Sequence, residues 1–187
     1  MKRFNSRPRA ADMKIAGRAA DGLAELMHAP DCQHEDGAHP GLRGQALRRA
    51  LAAAQSRCQA TQERLTEPRR RVLELLLEAD QPLKAYDLIA SFGEDGAPAK
   101  PPTVYRALDF LERQGFAHRI ESLNAFVPCR LDGENHSAAF LICSCCGAAE
   151  EFEPDLSPGL VAAQSRGYEV ASVTLEARGL CPACRAG

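Results

Sequence analysis

The 187 residues contain no run of about 18 uninterrupted apolar side chains, so no membrane-spanning helix is expected. The first twenty residues are Arg-rich and lack the apolar block that a secretory signal needs. The expectation is a soluble, cytoplasmic protein with no membrane partner. Nor is there an excess of one charge sign, since 23 Lys and Arg stand against 25 Asp and Glu, a net charge of −2. That balance hides a gradient: ten basic and six acidic groups over residues 1–58, nine and ten over 59–120, four and nine over 121–187. The total therefore neither requires nor forbids nucleic acid, because a neutral segment presents a basic face when its arginines share one side of a helix. No internal repeat is visible. At 45% hydrophobic and 26% charged the chain is not a disordered polymer, and its length suffices for one ordinary core or two small ones without a disulfide scaffold.

Along the chain, residues 1–44 mix Gly, Pro, His and charge with weak periodicity and read as a mobile arm with at most a short helix around 21–27. Helical periodicity begins at 45–59, with Leu47, Ala50, Leu51 and Ala54 on one face. A second helix over 67–79 buries Val72, Leu73, Leu76 and Leu77, with Thr66 as N-cap and Pro68 in the first turn, where a missing N–H costs nothing. A third covers 84–92. Pro101 and Pro102 then set up Thr103 as cap for a helix running to about Gln114, stopped by Gly115. Strands at 117–121 and 124–128 flank a polar turn, and three helices followed by a hairpin is the winged helix-turn-helix order. A break over 129–137 reads as a hinge. Beyond it come strands at 138–143 and 148–152, a helix at 155–166 ended by Gly167, and a strand at 168–176.

In the fourth helix, at about 100° per residue, Val104, Ala107, Leu108 and Leu111 share one face, with Arg106 and Arg113 opposite and Tyr105 and Asp109 at the border. Arginine suits a bidentate contact with guanine in the major groove, and Tyr105 offers a ring to a thymine methyl. The alternative is an ordinary amphipathic helix with a solvated charged face. The hairpin favours the first reading, because it adds a second lever against the DNA backbone, with Arg119, Arg69 to Arg71 and Lys84 as phosphate partners.

Eight cysteines in a reducing compartment point to metal ligands or reactive thiols before disulfides. Cys143 with Cys146, and Cys181 with Cys184, form two CxxC pairs separated by 34 residues. Two such turns supply the four thiolates of a closed tetrahedral zinc site, with Gly147 allowing the tight knuckle. Cys145 leaves the first register open, although the two-residue gap favours Cys143 with Cys146. A redox role for Cys181 and Cys184 is disfavoured on the ground that a low-pKa CxxC opens a helix and only three residues follow Cys184. His118, Cys129, His136 and Glu151 form a further metal-capable set. One ion bound by all four would pin the wing to the second domain. The alternative is that the two histidines lie on the surface and Cys129 is a buried thiol. The arm holds His28, Cys32, His34 and His39, with nothing around them to preorganise a site. A zinc enzyme needs an open coordination position, and no His is followed two positions later by Glu as the nucleobase-deaminase signature requires. An enzyme is therefore not expected.

The segments LTEPRRRVLELL, PLKAYDLIASF, KPPTVYRALDFLERQGFAHRIESLNAFVPC, FLICSCCGAAEEF and LEARGLCPAC together resemble the ferric uptake regulator family of bacterial metal-dependent repressors, most closely its zinc-sensing branch. The resemblance spans about residues 45–184. It implies an α+β protein: an N-terminal winged helix-turn-helix domain over 45–128, a hinge over 129–137, and a small α/β dimerisation domain over 138–187 carrying a structural zinc. By position, Cys143, Cys146, Cys181 and Cys184 match the structural ligands, and His118, Cys129, His136 and Glu151 the regulatory zinc site, for two Zn2+ per chain. Tyr105 and Arg106 match the base-reading pair, Tyr86 a phosphate contact, and Thr103 stands with them at the DNA-binding helix. The implied activity is zinc-responsive repression, a zinc-loaded homodimer binding palindromic operators of zinc-uptake genes. The alternatives are a regulator of the same family sensing another divalent metal, or a zinc-stapled interaction module without specific DNA binding. The iron-type run of histidines before the first CxxC is missing, with Ser137, Ala138, Ala139 and Phe140 in its place. Glu67 shifts the usual Thr-Pro spacing, which leaves the role of Arg69 open.

Overall fold

A computed structural model describes residues 40–93, 97–130, 138–170 and 173–186. The expected helix around 21–27, the metal-capable residues of the arm, and His136 lie outside the described residues.

The first half is helical because its apolar residues recur at helical spacing. Helix α1 (Gly44–Ala60) buries Leu47, Leu51, Ala54 and Cys58, and α2 (Glu67–Glu78) buries Val72, Leu73, Leu76 and Leu77. Thr66 stands at the N-cap of α2, but its side chain makes no capping bond. Before α1 the chain is already engaged: Leu42 N–H bonds to Leu77 O at 2.7 Å, and Arg43 donates to the Glu78 carbonyl. Helix α3 (Ala85–Ala90) is shorter than the 84–92 expected.

Helix α4 (Pro101–Arg113) corrects the expected cap. It starts three residues early, with Lys100 rather than Thr103 at the N-cap, and Thr103 lies inside the first turn, half-buried, its N–H bonded to Lys100 O at 2.9 Å. The reason is that N1 and N2 donate to no intrahelical partner, so both prolines fit there at no cost. Val104, Ala107, Leu108 and Leu111 are buried as expected, and so is Phe110, which the helical wheel puts beside Arg106. The Arg69 guanidinium covers Phe110, 3.5 Å from the ring centroid. At its end α4 turns through Gly115 at φ +64°, with Phe116 N–H bonded to Leu111 O and Gly115 N–H to Glu112 O, the paired bonds of a Schellman cap.

That cap delivers the chain into β1 (Ala117–Ile120), antiparallel to β2 (Ala125–Pro128). A 3-10 turn (Glu121–Leu123) and left-handed Asn124 join them. Leu83 adds a bridge to Phe126, tying the segment before α3 to the wing. Helices and wing share one core running from Leu47 to Phe126.

The second half is a three-stranded sheet in the order β4-β3-β5. Strand β3 (Ala138–Cys143) pairs antiparallel with β4 (Ala149–Phe152) and parallel with β5 (Thr174–Gly179), reached through α5 (Ser157–Gln164). The expected last strand at 168–176 therefore falls later, because its position is set by pairing one-to-one with β3 rather than by local composition. A short helix, α6 (Pro182–Ala186), follows Cys181 and was not expected. Ile120 at the end of β1 packs on Phe140 and Ile142 of β3, so wing and sheet meet through a small apolar contact of their own.

Candidate metal centres and nucleic-acid face

Two groups of metal-capable side chains converge among the described residues. In the first, the turn after β3 brings Cys143 and Cys146 together: Gly147 takes φ +74° and its N–H bonds to Cys143 O at 3.1 Å. The parallel β3–β5 ladder places the second pair opposite, with Cys181 N–H directed at Cys143 Sγ at 3.3 Å and Cys184 N–H at Cys181 Sγ at 3.4 Å. The sulfurs of Cys143, Cys146, Cys181 and Cys184 all lie within 4.8 Å of one another. Cys146 and Cys181 are 4.0 Å apart, close to the roughly 3.8 Å edge of a tetrahedron built on zinc–sulfur bonds. Cys146, not Cys145, thus completes the group.

Burial pushes the Cys143 thiol up, but backbone N–H donors from Cys181, Cys146 and Cys145 outweigh it and hold the group down at about 6. Burial and thiol neighbours raise Cys184. The nest therefore already favours one thiolate, the charge state a cation needs. The argument against a redox CxxC requires correction, since Cys181 does precede a helix. What separates the pair from a dithiol is instead its closure on Cys143 and Cys146.

The second group joins the two halves. His118 projects from β1, Cys129 follows β2 and Glu151 comes from β4, their donor atoms within 4.8 Å of one another. His118 Nε2 lies 3.0 Å from Glu151 Oε1, near the roughly 3.3 Å edge expected around a four-coordinate zinc with N and O ligands. The other oxygen, Oε2, accepts the Arg130 N–H at 2.8 Å, which fixes the carboxylate's orientation. The side chains of His118 and Glu151 are only 14% and 3% exposed, and the Phe140 ring lies 6.0 Å from the imidazole. The sequence did not point to Arg130 or Phe140: a backbone N–H carries no side-chain signal, and Phe140 reads as a core residue. Neither cluster shows a donor type foreign to zinc, for thiolate, imidazole and carboxylate are its ordinary ligands.

In the first half, Tyr86 on α3 is 78% exposed and Tyr105 on α4 52%, although both are aromatic. Arg106, next to Tyr105, is exposed, and so is Arg113 two turns further along α4. The other arginines proposed as phosphate partners divide. Arg69 is engaged with Phe110 and the Arg64 carbonyl, and Arg71 bonds to Phe92 O at 2.8 Å and Glu74 at 3.0 Å, so both brace the helices. Arg119 stays exposed on the wing, 2.9 Å from Asn124 Oδ1.

Comparison with known proteins bears on this arrangement. The sequence profile of the Ferric uptake regulator family matches residues 60–178. The zinc uptake regulation protein of Escherichia coli is 42% identical over 140 residues, 72% of this chain and 80% of that protein, and the Shigella flexneri protein of the same name gives the same figures. Among solved structures, a zinc uptake regulator complexed with zinc and DNA aligns with a TM-score of 0.72 at 40% identity, covering 76% of this chain and 97% of that one. The holo form of XcZur aligns at 0.68 with 42% identity, covering 73% and 97%.

Proposed function

Because the chain belongs to the ferric uptake regulator family, we propose that it is a zinc-responsive transcriptional repressor that binds, as a cytoplasmic homodimer, the palindromic operators of zinc-uptake genes. The observation that carries this reading is the meeting of His118, Cys129 and Glu151 from β1, the segment after β2, and β4. His136 is read as the fourth donor. A mixed N, S and O set suits four-coordinate zinc better than an octahedral, all-oxygen cation. Four protein donors also leave no coordination position for a substrate water, which argues against a hydrolytic centre.

When bound at this group, zinc supplies a cross-link between wing and C-terminal sheet. The protein's own residues do the rest. The Arg130 N–H orients Glu151, and Phe140 walls His118 off on one side. Because the Schellman cap joins α4 directly to β1, the position of α4 follows that of His118. Tyr105 and Arg106 then address base edges, and Tyr86 a phosphate. A dimer reads two half-sites only when its recognition helices are spaced to match the groove repeat of about 34 Å. The exposed apolar side chains Leu141 and Leu175 on the C-terminal sheet, with Val161 and Tyr168 in the segment between β4 and β5, support a second copy of the chain as partner. Cys143, Cys146, Cys181 and Cys184 are read as a closed structural site, which makes two zinc ions per chain.

The test is binding to a fluorescent duplex selected from a random pool by the zinc-loaded protein, followed while free zinc is buffered. Binding should appear with zinc and reverse on chelation of the weaker ion. Equal affinity in the chelated and loaded protein would overturn the reading.

A further inference from the structure

We propose that Glu176, on β5, is a metal-independent positioning residue that, with Arg178, locks the wing turn onto the C-terminal sheet and so sets the angle at which α4 is presented. The proposal rests on the regulator reading above. Glu176 Oε1 accepts the Glu121 N–H at 2.7 Å, and both its oxygens face the Ser122 N–H, at 3.4 and 3.2 Å. Two residues further along β5, and hence on the same face, Arg178 Nη2 donates to the Ser122 carbonyl at 3.3 Å. One strand therefore holds both backbone polar groups of a single residue in the wing turn. The N–H groups at the start of the Glu121–Leu123 turn have no partner inside it. The turn is thus a ready receptor for a carboxylate, and β5 supplies one from 54 and 55 residues away.

The placement matters more than the bonds. Along β1, His118 meets Glu151 on β4, Ile120 packs on Phe140 and Ile142 of the central β3, and the turn meets Glu176 and Arg178 on β5. The wing strand thus lies across the sheet in its strand order. From His118 to Ser122 the chain can span about 13 Å, enough to bridge the roughly 10 Å across three strands. A strand pinned at one end swings about that pin, and a strand pinned at both ends does not. The His118 corner supplies one pin and Glu176 the other. Burial pushes the Glu176 carboxyl up, but Ser122, the backbone N–H groups and Arg178 outweigh it and hold it below the usual carboxylate range, so the charged form is present at neutral pH.

The experiment compares full-length zinc-loaded wild type with Glu176→Ala and Glu176→Gln, measuring zinc content, amide hydrogen exchange at residues 121 and 122 by NMR, and binding to the selected duplex at saturating zinc. Expected are unchanged zinc content, about 10-fold faster exchange at both amides in E176A and a smaller change in E176Q, whose amide oxygen still accepts. Operator affinity should fall in the same order, by up to about 10-fold. Unchanged exchange would overturn the lock, and faster exchange with full affinity would overturn its positioning role. If E176A loses zinc or fold, Arg178→Met replaces it, with the same two readouts and the same criteria. A wild-type protein that binds DNA without regard to zinc would sink the regulator reading instead, and the lock would then stand or fall on amide exchange alone.

Discussion

Replacing His118 with alanine removes the wing's own donor from the cluster that joins the two halves, and three consequences of different size should follow. Cys143, Cys146, Cys181 and Cys184 share no residue with that cluster, so their zinc should remain and metal content should drop by one ion per chain, not two. The metal-free variant should be only modestly destabilised. Glu151 loses its 3.0 Å neighbour but keeps the Arg130 N–H at 2.8 Å, so the carboxylate is not stranded, and the cost is about 1–3 kcal/mol. The larger effect is on DNA. His118 Nε2 and Glu151 Oε1 stand within a few tenths of an ångström of tetrahedral spacing, so little of the ion's binding energy goes into moving this pair and more is available to favour the closed arrangement. A coupling of about 1–3 kcal/mol corresponds to a 5–150-fold change in operator affinity. Fluorescence anisotropy against the selected duplex, in zinc buffers with the metal counted independently, measures that change. H118A should bind at saturating zinc as weakly as the chelated wild type does. If its zinc dependence matches that of wild type, the cross-link is not the switch and the reasoning fails.

Other consequences are independent of that pocket. Cys184→Ser should release the structural ion and unfold the C-terminal half, since binding energy at such a site is folding energy; a folded dimer with undiminished zinc content, seen by sedimentation and metal analysis, would contradict it. Arg106→Ala should cost about 1–3 kcal/mol against the selected duplex and much less against random DNA, whereas an equal loss on both would make Arg106 a plain surface charge. Phe110→Ala should lower unfolding stability by about 3–5 kcal/mol in denaturant titrations, because the ring is fully buried and supports the Arg69 guanidinium; a loss under 1 kcal/mol would mean the site collapses around the gap.

Much of this protein follows from spacing alone. Leucines at helical intervals place α1, α2 and α4, because a helix returns the same face every few residues and water expels that face wherever it lies. The two CxxC pairs announce a metal knuckle for a similar reason, since two thiols two residues apart converge on one ion through any tight turn. Both inferences are local; the helices form where the spacing puts them, and the four thiols converge. The start of α4 precedes the expected cap because two prolines, breakers inside a helix, also fit its first two positions. The burial of Phe110 beside Arg106 depends on neighbours outside the helix, the shared core and the Arg69 guanidinium on α2. Strand β5 takes its limits from β3, and α6 forms across Cys184 although few residues follow it. Most of all, the contacts between wing and sheet were invisible to composition: His118 with Glu151, Arg130 N–H with the same carboxylate, and Glu176 and Arg178 gripping Ser122. Those partners stand 21 to 56 residues apart, and Arg130 and Ser122 take part through their backbone. A chain's alphabet records which side chains are able to bond, whereas which of them meet depends on how helices and sheet exclude water together, a property of the packed whole.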